Sequence, residues 1–100
     1  MSVIVMGEFR LPLENLEAAR PAMEQVVTLT RAEDGCLGYS YAQDMFDPGL
    51  IRVAEKWASA EALAAHLAAP HMDEWKRVRE GFGLTGRAIT MYEIASEKAV

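Results

Sequence analysis

The sequence predicts an α+β protein built on one four-stranded antiparallel sheet. Apolar residues alternate with a period of two in four segments, and they recur with a helical period in two longer regions between them. Asp-Gly and Asp-Pro-Gly runs mark turns between segments. The resulting order, β-α-β-β-α-β, is the split βαβ or ferredoxin-like pattern. We therefore expect both helical regions to cover one face of the sheet.

The first strand and the first helix occupy residues 3–33. Residues 3–11 alternate around one apolar face, and Pro12 ends the strand. An amphipathic helix follows at 14–33, and Pro21 inside it is expected to kink it or to separate a short first turn. The pair Asp34-Gly35 is expected to end the helix.

The next two strands form a predicted hairpin. Residues 36–46 place Tyr39 and Tyr41 on one face and only small or polar residues on the other. An Asp-Pro-Gly connection at 47–49 leads into the third strand at 50–57. The two tyrosines therefore share one face of the sheet.

The second helical region is divided by a proline. Ser59 is suited to cap a helix that runs to about Ala69, and Pro70 then suits the first turn of another helix. The glycine-rich stretch 81–86 is expected to be a loose connection, and residues 88–94 form the last predicted strand.

The face of the sheet opposite the helices has no cover within one chain. Ile4, Met6, Leu50 and Ala54, or the residues that alternate with them along the strands, are expected there. An exposed apolar face of this size favours contact with another protein surface, and a two-fold dimer is the simplest arrangement. We expect a homodimer formed through the sheet faces.

Composition limits the classes of function. The 100 residues suit one domain, assigned to 1–100. A net charge of −5 without a basic stripe argues against binding to nucleic acid or to an anionic membrane. The first residues do not resemble a signal peptide, and no apolar run approaches a membrane span. Cys36 is the single cysteine and has no internal disulfide partner, so we expect a cytoplasmic location.

Residues 55–71 contain both histidines and carry a recognisable spacing. The run is Glu55-x-Trp57-x-Ser59-x-Glu61-Ala62-Leu63-x-x-His66-Leu67-x-x-Pro70-His71. It resembles the signature of the antibiotic biosynthesis monooxygenase (ABM) domain family. The turn at 33–39, the acidic hairpin at 44–47 and the segment 90–93 resemble the corresponding parts of that family. The resemblance covers essentially the whole chain.

The resemblance implies a dimeric α+β barrel and an oxygenase chemistry. Characterised members oxygenate polycyclic phenols or quinols with O2 and use no metal, flavin or haem. Such a reaction needs an apolar cavity and one group that accepts a proton. Other members have no known activity, so a non-enzymatic dimeric barrel that binds a small ligand is an alternative. Haem binding or haem cleavage is less favoured, because Phe9, His66 and Lys76 stand where haem-degrading relatives carry Asn, Trp and His.

His66 is the expected catalytic residue, as proton acceptor or orienter. It follows Ala62 and Leu63 by four and three residues, so it shares their inward helix face. Histidine ordinarily titrates at about 6.5, which suits proton transfer near neutral pH. A buried histidine with only a structural role is the alternative.

The remaining candidates are His71, the acid Glu55 and several aromatic side chains. His71 is expected either to support the start of its helix or to join His66 at the pocket. No metal site is predicted, because two histidines with four residues between them, one of them a proline, have no fixed ligand geometry. If Glu55 is buried, its carboxylate requires a partner, which Arg10, Arg52 or the partner chain could supply.

The candidate substrate-binding residues are Phe9, Tyr39, Tyr41, Trp57, His71, Trp75 and Phe82.

Overall fold

The computed structural model describes all 100 residues and contains four strands and three α-helices. In chain order these are β1 (Val3–Arg10), α1 (Leu16–Arg31), β2 (Cys36–Gln43), β3 (Leu50–Trp57), α2 (Ala60–Leu67), α3 (Pro70–Arg79) and β4 (Thr85–Glu93). Short 3-10 turns at Leu13–Asn15 and Glu80–Phe82 precede α1 and follow α3. The predicted ferredoxin-like α+β fold is confirmed, with the second helical region divided into α2 and α3.

The four strands form one antiparallel sheet in the order β2-β3-β1-β4. In this register Val5 on β1 lies opposite Glu55 on β3 and Met91 on β4. Tyr39 on β2 lies opposite Glu55 from the other side. One transverse row of the sheet therefore holds residues from all four strands.

The hydrophobic core lies between the helices and one face of the sheet. A central cluster joins β1 and β3 to α1 and α3, and a second cluster joins the other end of the sheet to α2. The buried members are Phe9, Leu11, Ala19, Val26, Ile51, Val53, Met72 and Trp75 in the first, and Val3, Val5, Tyr39, Trp57 and Leu63 in the second.

The longest helix, α1, has 16 residues and continues through Pro21. Proline removes one backbone hydrogen bond, to the carbonyl of Glu17. Both Pro21 and Glu17 are exposed, so water is able to satisfy that carbonyl and the helix does not divide. None of the three helices combines the length and the apolar character that crossing a membrane requires.

The corner from β3 into the second helical region forms as predicted. The Ser59 hydroxyl accepts a hydrogen bond from the backbone N–H of Ala62 at 3.1 Å, which caps α2. Pro70 is the first residue of α3, where its missing N–H costs nothing because that N–H has no partner within the helix.

Two strand boundaries differ from the predictions. The second strand ends at Gln43 rather than at 46, because Asp44 accepts a hydrogen bond from the backbone N–H of Phe46 and turns the chain. The last strand begins at Thr85 rather than at 88, because Thr85 pairs with Arg10 of β1 across a register shift. This pairing joins residues far apart in the sequence, and the glycines at 81–86 had predicted a loop there instead.

The sheet face opposite the helices carries both apolar and charged side chains, whereas the sequence predicted a mainly apolar face. Met6 and Tyr92 are 55% and 53% exposed, and Ala54 is exposed as expected. Leu50 is different, because it is only 9% exposed at the start of β3, directly after the turn that joins β2 to β3. Ion pairs from Arg52 to Glu8 and Asp44, at 3.1 and 3.2 Å, place charge beside the apolar residues.

Candidate functional site

A cavity of about 170 Å³ lies between the sheet and the helices α2 and α3. Most of its walls are apolar, and they come from all four strands and both helices. The polar groups of the lining are two tyrosines, one glutamate, one histidine and two arginines: Tyr39, Tyr41, Glu55, His66, Arg79 and Arg87. An apolar cavity with a few convergent polar groups is the usual form of a small-molecule site.

His66 lies at one side of this cavity and is only 1% exposed. Its ring centroid is 4.7 Å from that of Trp57 and 5.4 Å from that of Tyr39, so packing fixes the ring plane. Its Nδ1 atom lies 2.7 Å from Oε2 of Glu33. A carboxylate only accepts hydrogen bonds, so Nδ1 is the donor in this contact, and in a neutral imidazole Nε2 is then the nitrogen that carries the lone pair.

Glu33 comes from the turn between α1 and β2 and was not a candidate from the sequence. Gly35 in the same turn has a φ of +82°, and a Cβ on it would lie 2.6 Å from the Cβ of Ala62 on α2. This close approach brings the turn against α2, where His66 is located. The 33 residues between Glu33 and His66 explain why no local spacing revealed the pair.

His71 completes a three-residue network. Its Nε2 atom lies 3.0 Å from the same Oε2 of Glu33 that His66 contacts. One carboxylate oxygen therefore accepts a hydrogen bond from each imidazole. His71 does not line the cavity, so its place in the structure is behind Glu33 rather than beside a bound molecule.

The two tyrosine hydroxyls on β2 contact each other at 2.9 Å. Burial raises the pKa of Tyr39 far above its ordinary value, and burial is also the main reason that the pKa of Tyr41 rises to about 12. Both phenols therefore stay protonated near neutral pH. Tyr41 also makes an edge-to-face contact with Phe9 at a centroid distance of 5.3 Å, which holds the pair in place.

Glu55 is a buried carboxyl group in the wall of the cavity. It accepts a hydrogen bond from the indole Nε1 of Trp57 at 2.9 Å, and burial raises its pKa above the ordinary value. The prediction that Arg10 or Arg52 pairs with Glu55 is wrong. Arg10 pairs with Asp47 at 2.9 Å, and Arg52 contacts acids on the opposite face of the sheet.

Comparison with known proteins decides the family. The sequence profile described as "Antibiotic biosynthesis monooxygenase" matches residues 2–78. The chain belongs to the antibiotic biosynthesis monooxygenase family. A relative in Mycobacterium tuberculosis, named "Putative monooxygenase Rv0793", is 33% identical over 69 residues, which cover 69% of this chain and 67% of the relative.

Several solved structures share the fold over nearly the whole chain. One described as a putative antibiotic biosynthesis monooxygenase from Deinococcus radiodurans has a TM-score of 0.91 at 28% identity and covers 98% of this chain and 97% of its own. The structure of Rv0793 has a TM-score of 0.86 at 27% identity, with 99% and 100% covered. The structure of PA3566 from Pseudomonas aeruginosa has a TM-score of 0.82 at 27% identity, with 94% and 95% covered.

In this ABM domain the predicted site residues fall into two groups. Phe9, Tyr39, Tyr41, His66 and Trp75 line the same cavity. Trp57, His71 and Phe82 do not belong to its lining. Trp57 packs behind the ring of His66, and Phe82 lies in the turn after α3, where its carbonyl accepts a hydrogen bond from Asn15 at 2.9 Å.

Two arginines in the lining were not candidates from the sequence. Arg79 ends α3 and Arg87 lies near the start of β4. Arg79 stands in a basic helix end and Arg87 follows a glycine-rich connection. Both contexts are typical of side chains exposed to solvent. Only the packing of α3 against the sheet shows that both border the aromatic cavity.

The ABM domain also has one group of side chains whose ligand atoms converge as metal ligands do. The ligand atoms of Glu33, His66 and His71 all lie within 4.8 Å of one another. The separations of 2.7 and 3.0 Å between the carboxylate oxygen and the two ring nitrogens are hydrogen-bond distances. Two imidazoles and one carboxylate are also a ligand set that transition-metal ions accept, so this geometry is compatible with a hydrogen-bonded network and with a bound cation.

A wider depression of about 400 Å³ lies on the surface between α1 and β2. Its lining includes the exposed side chains of Arg20, Glu24 and Arg31, and it contains no histidine. The smaller cavity is the better candidate site, because it combines a buried base, a buried acid and aromatic walls.

Proposed function

We propose that this protein is a cofactor-independent monooxygenase that oxidises a hydroquinone-like or polyphenolic aromatic substrate with O2. The observation that carries the proposal is the pairing of His66 with Glu33 at the wall of an aromatic cavity. Membership of a family of monooxygenases supports the reaction type. The contact between Nδ1 of His66 and Glu33 in the cavity wall supports the assignment of His66 as the base.

The proposed reaction begins with a proton transfer. Nε2 of His66 accepts the proton of a substrate hydroxyl, and the electron-rich aromatic anion then reduces O2. One oxygen atom forms a bond to a ring carbon, and the O–O bond breaks. The second oxygen leaves as water, taking the proton from His66 and the hydrogen displaced from the ring. The substrate supplies all four electrons, so a hydroquinone becomes a hydroxyquinone without an external reductant.

Glu33 is proposed as the positioning residue for this base. Its carboxylate holds the proton on Nδ1 of His66, so the second nitrogen stays free to accept the substrate proton. The same charge stabilises the imidazolium that forms during the transfer. His71 donates to that carboxylate at 3.0 Å and keeps it in place. A positioned general base contributes about 10²–10⁴-fold in rate.

The aromatic residues are proposed to hold the substrate ring. Phe9, Tyr41 and Trp75 form contiguous walls, with centroid distances of 5.3 to 6.2 Å between them. One of the hydroxyls of Tyr39 and Tyr41 donates to the other, so the remaining O–H is available to donate to a substrate oxygen. The cavity of about 170 Å³ is smaller than the roughly 300–1,000 Å³ of most ligand pockets, which favours a substrate of one or two rings.

A homodimer through the sheet faces is part of the proposal. Met6 and Tyr92 remain more than half exposed on that face, and Ala54 lies between Arg52 and Lys56, which form ion pairs with Glu8 and Glu97. A second copy placed face to face would remove this apolar surface from water. It would also bring the exposed strand β4 under cover.

An oxygen electrode assay tests the reaction type. Reduced one- and two-ring quinols are offered to the purified protein, and uptake of O2 is followed with a chelator present or absent. We expect uptake with at least one quinol, the same rate with chelator, and one labelled oxygen atom in the product formed under ¹⁸O2.

Two other results would point to the alternative functions. Tight binding of these ligands without any uptake of O2 would favour a non-enzymatic ligand-binding barrel. A Soret shift on titration with haem would favour a haem-binding relative, and either result would replace the proposed reaction.

A further inference from the structure

The arginines of this chain differ in whether they have a partner. The sequence contains seven, and five of them donate hydrogen bonds to an acid or, in one case, to a backbone carbonyl. The two without a hydrogen-bond partner are Arg79 and Arg87. The protein carries 15 acids against 10 basic residues, so unpaired arginines are not explained by a lack of acids.

Both unpaired arginines line the same cavity. Arg79 reaches it from the end of α3, where it is partly buried, and Arg87 reaches it from β4, where it is exposed. Their charges repel each other, and partial burial together with this repulsion lowers the pKa of Arg79 from its ordinary value. Two guanidinium groups in the lining of one aromatic cavity are suited to an anion, because each offers a planar fork of N–H donors.

We propose that the substrate is a hydroxylated aromatic carboxylate whose carboxylate group binds between Arg79 and Arg87. This rests on the proposed function, and it defines the substrate class of that site. Charge-assisted bonds from two arginines to one carboxylate would compensate the repulsion between the arginines. A planar carboxylate conjugated with its ring also suits the small volume of the cavity.

The sheet register gives this substrate a direction. Glu55 lies in the row of Val5 and Met91, whereas Arg87 is four residues before Met91 on β4. Four residues of strand span about 13 Å between Cα atoms, so Glu55 and Arg87 start from different ends of the cavity wall, although the charge of Arg87 still lowers the pKa of Glu55. The buried carboxyl group of Glu55 would repel a substrate carboxylate, and the arginines would attract it. The hydroxyl-bearing end of the ring is therefore directed toward His66.

Binding of two matched ligands tests the proposal without requiring turnover. The probes are 2,5-dihydroxybenzoate and benzene-1,4-diol, which differ in the carboxylate, and calorimetry without O2 measures their dissociation constants. The variants are Arg79→Gln and Arg87→Gln. The control is Arg77→Gln, which removes an exposed arginine from the same helix that is already paired with Glu74.

We expect the wild type to bind the carboxylate about ten- to a hundredfold more tightly than the neutral diol, as expected for charge-assisted hydrogen bonds. Each variant at the cavity should lose most of this preference while keeping its affinity for the diol, and Arg77→Gln should retain it. Equal binding of both probes by the wild type, or a preference that survives in Arg79→Gln and Arg87→Gln, would overturn the proposal. A normal carboxylate preference without any O2 uptake would instead refute the proposed reaction and leave the anion site supported.

Discussion

At the scale of single residues, the account depends on polar groups that meet only in the folded protein. His66 and the aromatic residues Phe9, Tyr39 and Tyr41 could be selected from sequence, because helical and strand periodicity place them on inward faces. Glu33 could not, because it lies in a turn and nothing in its neighbourhood distinguishes it from an exposed acid. Periodicity predicts the face of an element on which a residue lies, but it does not predict a contact across 33 residues.

Replacing Glu33 with Gln tests the positioning role. The amide still accepts a hydrogen bond from Nδ1 of His66, but it cannot stabilise the imidazolium by charge. Hydrogen bonds to charged groups contribute about 1.5–3 kcal/mol, so we expect kcat to fall about ten- to a hundredfold with a smaller change in KM. The neighbouring Asp34→Asn, at an exposed position, should retain the wild-type rate in the oxygen assay. A full rate in Glu33→Gln would show that the carboxylate has no part in the reaction.

Glu55 offers a second test, through the pH dependence of stability. Burial raises the folded-state pKa of Glu55, so the stabilisation of the protonated form is present below about pH 4.5 and is lost as the pH rises through the folded-state pKa. Glu55→Gln keeps an acceptor for the indole of Trp57 and removes the buried charge. We expect its melting temperature to exceed that of wild type by a few degrees at pH 7.5 and to match it near pH 4. The prediction fails if the difference in melting temperature between Glu55→Gln and wild type is the same at pH 7.5 and near pH 4.

At the scale of elements, sequence patterns located every strand and helix, and long-range contacts set several of their ends. The period-two segments became β1, β2 and β3, and Pro70 separated α2 from α3 as expected. The start of β4 was missed because Thr85 pairs with β1 in a segment whose glycines indicated a loop. Pro21 was expected to disturb α1, but its exposed position near the start of the helix leaves the helix continuous.

The turn at Gly35 connects these elements to the site. Its φ of +82° is unfavourable for other residues, and a Cβ would lie 2.6 Å from the Cβ of Ala62. We expect Gly35→Ala to lower the free energy of unfolding by about 1–3 kcal/mol and to move Glu33 away from His66. Chemical denaturation measures the first effect, and the oxygen assay measures the second. Gly81→Ala, at a position with open space around it, is the control and should change neither. Wild-type stability in Gly35→Ala would contradict this view of the turn.

At the scale of the whole molecule, one chain leaves a sheet face and an outer strand without cover. The sequence predicted an open face and a dimer, and the face is exposed, although its ion pairs and the burial of Leu50 make it less apolar than expected. The dimer remains a prediction. Composition and periodicity identify which face is open, but the residue pairs that would join two copies depend on their relative position.

The dimer is tested by the mass of the protein in solution. We expect light scattering to give twice the mass of the chain, and Met6→Asp with Tyr92→Asp to give the mass of one chain, because charge on the face opposes its burial. Leu13→Asp is the control, since Leu13 is 61% exposed outside the sheet. A wild-type protein that is monomeric at micromolar concentration would contradict the prediction, as would a dimer that the double variant leaves intact.

The most direct test of the central claim is the rate of O2 uptake by His66→Ala. The assay uses a reduced quinol or a dihydroxybenzoate at saturating concentration. The control is Glu61→Gln, an exposed change in the first turn of the same helix. We predict that His66→Ala lowers the rate about 10²–10⁴-fold, as expected for loss of a positioned base, while it remains folded and binds the aromatic ligand. Equal rates of O2 uptake in wild type and His66→Ala would contradict the account.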